Sequence, residues 1–209
     1  MAFTFQIVSS ASQDRLERLI AERLKPDADK ARIDQRVWDL FGERWAVMFT
    51  DLSGFSRRVV EFGIIHFLQT IYESQRVLVP IIEARGGILL KVEGDSMLVI
   101  FRNVTEAITC AISMQQSVKH YNESRSDAEK ILLCIGIGYG DMLRIGDSDV
   151  FGAEVNAASK LGEDAAKAWE IIVTGPVRRA ANLPPDVTFE PTDYVPSGAD
   201  SAFKIKYPI

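Results

Sequence analysis

The sequence predicts an α+β fold: a ferredoxin-like βαββαβ core, with a mostly antiparallel sheet and helices on one face, preceded by an N-terminal helical extension. Three observations carry this. From Trp45 onward, short apolar runs and long helically periodic stretches follow the order strand, helix, strand, strand, helix, strand. Two of the strand runs, inside GGILLKVEGDSMLVIF, are hinged at Glu93-Gly94, which leaves room for a hairpin and none for a crossover. The first 42 residues are charge-rich and stand outside the pattern, so the division is 1–42 as a helical extension and 43–209 as the main domain.

Taken in order, SQDRLERLIAERL places Leu16, Leu19, Ile20 and Leu24 at helical spacing until Pro26 interrupts. A second helix is expected from about Asp27 to Leu40, with Gly42 ending it. This pair either docks on the core or a partner, or stands as a solvated unit. WAVMFTDL is the first core strand, and SGFSRRVVEFGIIHFLQTIYESQRVLVPIIEAR reads as one long helix with a possible kink at Pro80. After the hairpin, VTEAITCAISMQQSVKHYNES is a helix with a Thr-Glu start, ILLCIGIGYGDMLRIG a strand, FGAEVNAASKLGEDA a helix and EIIVTG a strand. The remainder, with Pro184-Pro185 and DSAFKIKYPI, suggests short edge strands.

The chain has 209 residues, of which 47% are hydrophobic and 25% charged, ordinary for a globular protein. A net charge of −5 argues against nucleic acid as a partner. Cys110 and Cys134 lie in apolar runs without metal spacing and read as buried thiols in a reducing compartment. With no stretch of about 18 uninterrupted apolar residues, no membrane is implied and a cytoplasmic location is expected.

Two carboxylates fall where chemistry is expected. Asp51 ends the first strand and Asp95 sits in the hairpin turn, and this fold makes those two points neighbours. Two aspartates brought together repel unless a divalent cation lies between them, and Mg²⁺ takes a few carboxylates plus phosphate oxygens. Each also suits a plain turn or cap. Directly after Asp51, the amides of Gly54, Phe55 and Ser56 open a helix whose N-terminus favours phosphate; the alternative is a helix capped by Ser53. GIGYG, residues 136–140, looks like a dinucleotide fingerprint but leads into Asp141-Met142-Leu143 and no helix, so close backbone packing in a strand is expected. His66 and His120 sit on separate helices without metal-type neighbours. No serine lies in a nucleophile-elbow context.

VMFTDLSGF, GGILLKVEGDSMLVIF and DVFGAEVNAASKL together resemble the catalytic domain of class III nucleotidyl cyclases, the adenylate and guanylate cyclases, over roughly residues 44–178. The resemblance implies that Asp51 and Asp95, with the backbone carbonyl of Leu52 close by, hold two Mg²⁺ or Mn²⁺ ions. It implies that Gly54, Phe55 and Ser56 cradle the β- and γ-phosphates, that Lys91 and Asp149 read the base, and that Asn156 orients the ribose. Lys160 falls where active enzymes usually carry an arginine on the α-phosphate. The partners implied are a nucleoside triphosphate and a second copy of the chain, in a head-to-tail homodimer whose sites take the metal pair from one subunit and Lys91, Asp149, Asn156 and Lys160 from the other. The 3′-hydroxyl then attacks the α-phosphorus and pyrophosphate leaves.

Two consequences follow from the side chains, and two further points from the chain. A lysine donor beside an aspartate acceptor complements adenine N1 and N6, and the equivalent pair on cytosine, but opposes guanine and uracil; ATP is favoured, and pocket size separates it from CTP, the substrate of a pyrimidine cyclase of phage defence. Lysine at 160 keeps the charge but loses arginine's planar fork, which points to weak turnover or to a cyclase-like ATP-binding module. The chain is short between Gly140 and Asp149, where many family members insert a dimer-clasping arm. Lys204 and Lys206 fall near the family's triphosphate lysine, although an amphipathic edge strand fits that stretch better.

Overall fold

The computed structural model describes residues 11–208, without the side chains of residues 55–58. Met1–Ser10, the first part of the expected extension, and Ile209 lie outside the described residues. Two helices, α1 (Ala11–Arg23) and α2 (Lys30–Phe41), precede β1 (Gly42–Leu52). Asp29 caps α2 by accepting from the Arg32 amide at 3.1 Å. Arg23 grips Asp34 through Nε and Nη2 at 2.5 and 3.1 Å, closing the helical hairpin. Its apolar side, Leu19, Ile33, Val37 and Phe41, is buried against Ile145 and Leu143, so the extension docks on the core. Each such burial contributes roughly 1.5–3 kcal/mol, enough to hold so short a hairpin in place.

After β1 the chain forms α3 (Phe55–Phe62) and α4 (Ile64–Ala84), where the sequence predicts one helix. The break falls at Gly63, with φ 86°, a conformation that ends α3 while the apolar periodicity runs on. β2 (Ile88–Glu93) and β3 (Ser96–Phe101) form the expected hairpin, its turn at Gly94 and Asp95. α5 (Val104–Asn122) is capped not by its Thr-Glu start but by Asn103, whose side chain accepts from the Thr105 amide at 2.8 Å. β4 (Leu133–Ile145) turns through Gly146 into β5 (Asp149–Phe151); α6 (Ala153–Lys160) then runs into a π-helical turn, Leu161–Ala165, instead of one longer helix. β6 (Ile171–Thr174), α7 (Gly175–Ala180), β7 (Thr188–Pro191) and β8 (Ala202–Lys206) complete the chain.

The strands form one sheet in the order β2-β3-β1-β4-β6-β8-β7, with β5 on β4. Only β4 and β6 pair in parallel; the other ladders are antiparallel. β8 lies between β6 and β7, so the expectation of an edge strand at Lys204–Lys206 is corrected: β7 is the edge.

Side chains alternate across the sheet. Ala46 and Met48 of β1 join α4, α5 and α7 in the main core, through Leu78, Ile82, Ile108, Met114 and Val177. Trp45 and Val47 point the other way and meet Met142, Val150, Val155 and Ala158. The core helices thus share one face as expected, and α6 adds a cover on the second. Gly136 and Gly138 make that possible: a Cβ there would lie 2.1 Å from the Ala158 carbonyl oxygen and 2.3 Å from that of Glu154. The strand glycines serve close packing, as their context suggests. Cys110 and Cys134 are free and buried, and burial pushes both thiols up to about 12. No helix among the described residues is long and apolar enough to cross a membrane.

Candidate active site

Asp51 is the penultimate residue of β1, and antiparallel pairing of Thr50 with Met97 brings the β2–β3 turn beside it. The two aspartates therefore meet. Ser96 Oγ donates to Asp51 Oδ1 at 3.3 Å, and Asp51 and Asp95 interact directly. The amide N–H of Leu52 faces both carboxyls. Burial, then the charge of Asp95, pushes Asp51 up to about 6. Burial also raises Asp95, against hydrogen bonds from its own amide and that of Leu52. Two half-buried carboxyls, joined by a side-chain hydrogen bond and both raised first by burial, form a site that a cation would relieve.

The donor set bears on which cation these residues would suit. Among the described residues no cluster of three or more His, Cys, Asp or Glu could hold a metal alone. That disfavours a closed zinc centre. A pair of hard carboxylates, leaving most positions to water and phosphate, fits Mg²⁺ or Mn²⁺.

Beyond Leu52, Gly54 adopts the left-handed conformation, φ 83° and ψ 19°, and α3 begins. Gly54 itself stands at the N-cap, so the N-cap residue brings no side chain to the helix start. The side chains of Phe55 and Ser56 lie outside the described residues.

Lys91 on β2 and Asp149 on β5 meet at 2.5 Å between Nζ and Oδ2, although 58 residues separate them. The tight β4–β5 hairpin achieves this: it folds over the α6 side of the sheet and buries Val150 beside Val47 and Leu98. Asp149 is fixed further by the Val150 amide, which donates to Oδ1 at 2.9 Å. The pair lines a cleft of about 240 Å³ that also touches Phe49, Ser96 and Glu163. Ser96, bonded to Asp51, joins the cleft to the carboxylate pair.

Asn156 and Lys160 share the exposed side of α6. Asn156 Nδ2 donates to the Ser197 carbonyl at 3.2 Å, and Lys160 pairs with Asp164 at 2.9 Å. The hydrogen bond from Lys160 to Asp164 is the main cause that holds the lysine's pKa above its ordinary value. Lys204 and Lys206 are engaged elsewhere, with Glu170 at 2.6 Å and Glu190 at 2.9 Å. His66 Nε2 bonds the Ala128 carbonyl at 2.7 Å, and His120 sits beside Glu123, in keeping with ordinary helix positions.

Sequence reasoning missed two acids. Glu163, in the π-helical turn, lines the cleft and acts electrostatically on Asp51. Glu154, in the first turn of α6, is half-buried and accepts from Thr174 Oγ1 and the Tyr139 amide. An acid in a first helical turn is common, and nothing in the residue string marks either.

The fold and these clusters define a class of protein. Residues 42–198 match the adenylate and guanylate cyclase catalytic domain, and the chain belongs to that family. It is 26% identical over 164 residues to the putative adenylate cyclase 3 of Rhizobium meliloti (strain 1021), covering 78% of this chain and 27% of that protein. It is 27% identical over 145 residues to the serine/threonine-protein kinase pkn2 of Myxococcus xanthus, covering 69% of this chain and 17% of that one. The chain thus spans less than a third of the length of either curated relative. Its fold is similar to the crystal structure of an adenylate/guanylate cyclase/hydrolase from Silicibacter pomeroyi, with a TM-score of 0.64 and 26% identity over 80% of this chain and 98% of that one.

Proposed function

We propose that the chain converts a nucleoside triphosphate, with ATP favoured, to the 3′,5′-cyclic monophosphate and pyrophosphate, as a homodimer with shared sites. The observation that carries the reading is that the chain builds two clusters suited to opposite halves of a shared site: the Asp51–Asp95 pair, which one copy offers to the metals, and the Lys91–Asp149 pair, which its partner offers to the base. Asp51 and Asp95, with the backbone carbonyl of Leu52, would hold two Mg²⁺ or Mn²⁺ ions. The chemistry supplied there would be a lowered pKa of the 3′-hydroxyl and neutralised charge on the leaving phosphates.

The chain's own residues do the rest. The amides of Gly54, Phe55 and Ser56, at the start of α3, hold the β- and γ-phosphates. Lys91 and Asp149 orient each other without exhausting themselves: lysine has three donors and the carboxylate about four acceptor sites. Their contact therefore leaves one donor beside one acceptor, the complement of adenine N1 and N6. Four groups come from the partner copy: the residues equivalent to Lys91 and Asp149 meet the base, that equivalent to Asn156 aligns the ribose and that equivalent to Lys160 meets the α-phosphate. Positioning and charge account for most of such a transfer.

A second reading, an ATP-binding domain with little turnover, is favoured by one observation: Lys160 is already paired with Asp164. Incubation with each of the four nucleoside triphosphates and Mn²⁺, with products identified by mass spectrometry, separates the two. Cyclic AMP is expected. ATP bound without product would leave the binding domain, and a cyclic pyrimidine nucleotide would reassign the substrate.

Lys160→Arg tests the weak point. A fork that engages two phosphate oxygens raises kcat, by up to roughly tenfold, within the 10²–10³ range of a full transition-state donor. An unchanged or lower kcat removes Lys160 as the limit on rate.

A further inference from the structure

β4 is longer than its neighbours on one side. β6 pairs only with Ile135–Ile137 and β5 only with Leu143–Ile145. The stretch between them has no strand on that edge, so the Tyr139 amide needs another acceptor. Glu154 supplies it: Oε2 accepts from the Tyr139 N–H at 3.0 Å. The same oxygen accepts from Thr174 Oγ1, at the fully buried end of β6, at 2.6 Å. One carboxylate oxygen of α6 thus closes a gap between two strands.

The glycines of β4 make room for it. A Cβ on Gly138 would lie 3.0 Å from Glu154 Oε2, and one on Gly140 would lie 2.9 Å from Glu154 Cγ. Strand and side chain are fitted to each other. α6 itself is only eight residues long, and no side chain caps its N-terminus. Its inner face is mostly small, with Ala157 and Ala158 fully buried, so its contact with β4 is close but offers few interlocking side chains to resist sliding. Asn156 lies two residues from Glu154, on the opposite, exposed side.

We propose that Glu154 is a positioning residue for the reaction: its carboxylate clamps α6 to β4 and β6, and so sets where Asn156 and Lys160 stand over the nucleotide. The proposal rests on the cyclase reading above. Because both bonds go to one oxygen, a glutamine amide oxygen replaces it, while alanine abolishes both. The charged groups facing Glu154, Asp200 and Arg179, are paired with each other at 2.8 Å and do not require a counter-charge there.

The test compares Glu154→Ala, Glu154→Gln and the double variant Glu154→Ala/Asn156→Ala, using the full chain. Glu154→Ala lowers kcat by roughly 10²-fold, the effect of a displacement of about 1 Å, with KM for the triphosphate changed far less. Glu154→Gln stays within a few-fold of the wild type. Once Asn156 is alanine, Glu154→Ala costs less than it does in the wild type, because part of its effect runs through Asn156. Hydrogen exchange needs no turnover: the Ala157 and Ala158 amides lose protection in Glu154→Ala and keep it in Glu154→Gln. Glutamine as damaging as alanine, fully additive losses, or unchanged protection of α6 in the alanine variant would overturn the proposal. A wild-type protein silent on all four triphosphates would instead fail the cyclase reading, and with it any role for Glu154 in turnover; the exchange comparison then still upholds or refutes the clamp.

Discussion

Asp51→Asn gives a folded protein that makes no cyclic nucleotide, with turnover down at least 10³-fold, in the range of losing a central electrostatic element. The same substitution stabilises the metal-free protein. Asp51 is raised from 3.8 to about 6 in the folded state, by burial first and by Asp95 second. A carboxyl whose folded pKa lies above its unfolded value binds its proton more tightly when folded. Its contribution is fully present below about pH 4 and is lost as pH rises through about 6. At pH 7 the ionised pair therefore weakens the fold. Solvent reaches part of the site, so the cost is on the order of 1–2 kcal/mol. Asparagine removes it, and its Oδ1 still accepts from Ser96 and the Leu52 amide. Thermal unfolding without divalent ions at pH 7 and pH 4 is the check: the variant is more stable at pH 7, and the difference shrinks at pH 4. A destabilised variant at pH 7 would mean that the two carboxyls do not oppose each other.

Gly136→Ala damages stability and turnover together. Its Cβ would fall 2.1 Å from the Ala158 carbonyl oxygen and 2.4 Å from the Gly162 nitrogen. Both are backbone atoms, so no rotamer change relieves the clash, and α6 or β4 must move. The cost is about 3 kcal/mol, a fall of roughly 10 °C in Tm for a chain of this size. Because α6 carries Asn156 and Lys160, kcat falls by roughly 10²-fold even where the protein remains folded. Ile137→Val is the comparison. It lies on the same strand but faces the main core, so it costs about 1 kcal/mol and spares kcat. Equal kcat in the two variants would separate the placement of α6 from the chemistry.

The meeting of Asp51 and Asp95 was legible because it needs only local facts: a strand that ends in an aspartate, a hairpin that turns at another, and a fold that sets them side by side. The start of α3 just after Gly54 was legible for the same reason, since Gly54 follows Asp51 within three residues. The break at Gly63 was not, because Val59, Phe67 and Leu78 keep helical spacing across it and periodicity does not report φ. The glycines of β4 announced a close neighbour without naming it; which helix crosses Gly136 and Gly138 is a long-range fact. β8 was read as an edge for a similar reason, since strand order in a sheet is not written in strand sequence. The contact of Lys91 with Asp149 came only through family resemblance, because a three-residue strand folded over the sheet leaves no periodic signal. Glu154 left none either, as its partners are a backbone amide and a threonine on distant strands.

The central claim is that Asp51 and Asp95 together grip divalent cations against the phosphates of a nucleotide. Binding of Mn²⁺ in the presence of ATP, followed by the paramagnetic resonance of the free ion, tests it without relying on turnover. The wild type is expected to withdraw more Mn²⁺ than ATP alone does, and Asp51→Asn/Asp95→Asn to withdraw no more than the nucleotide. Equal uptake of Mn²⁺ by the wild type and the double variant, both folded, would contradict the account.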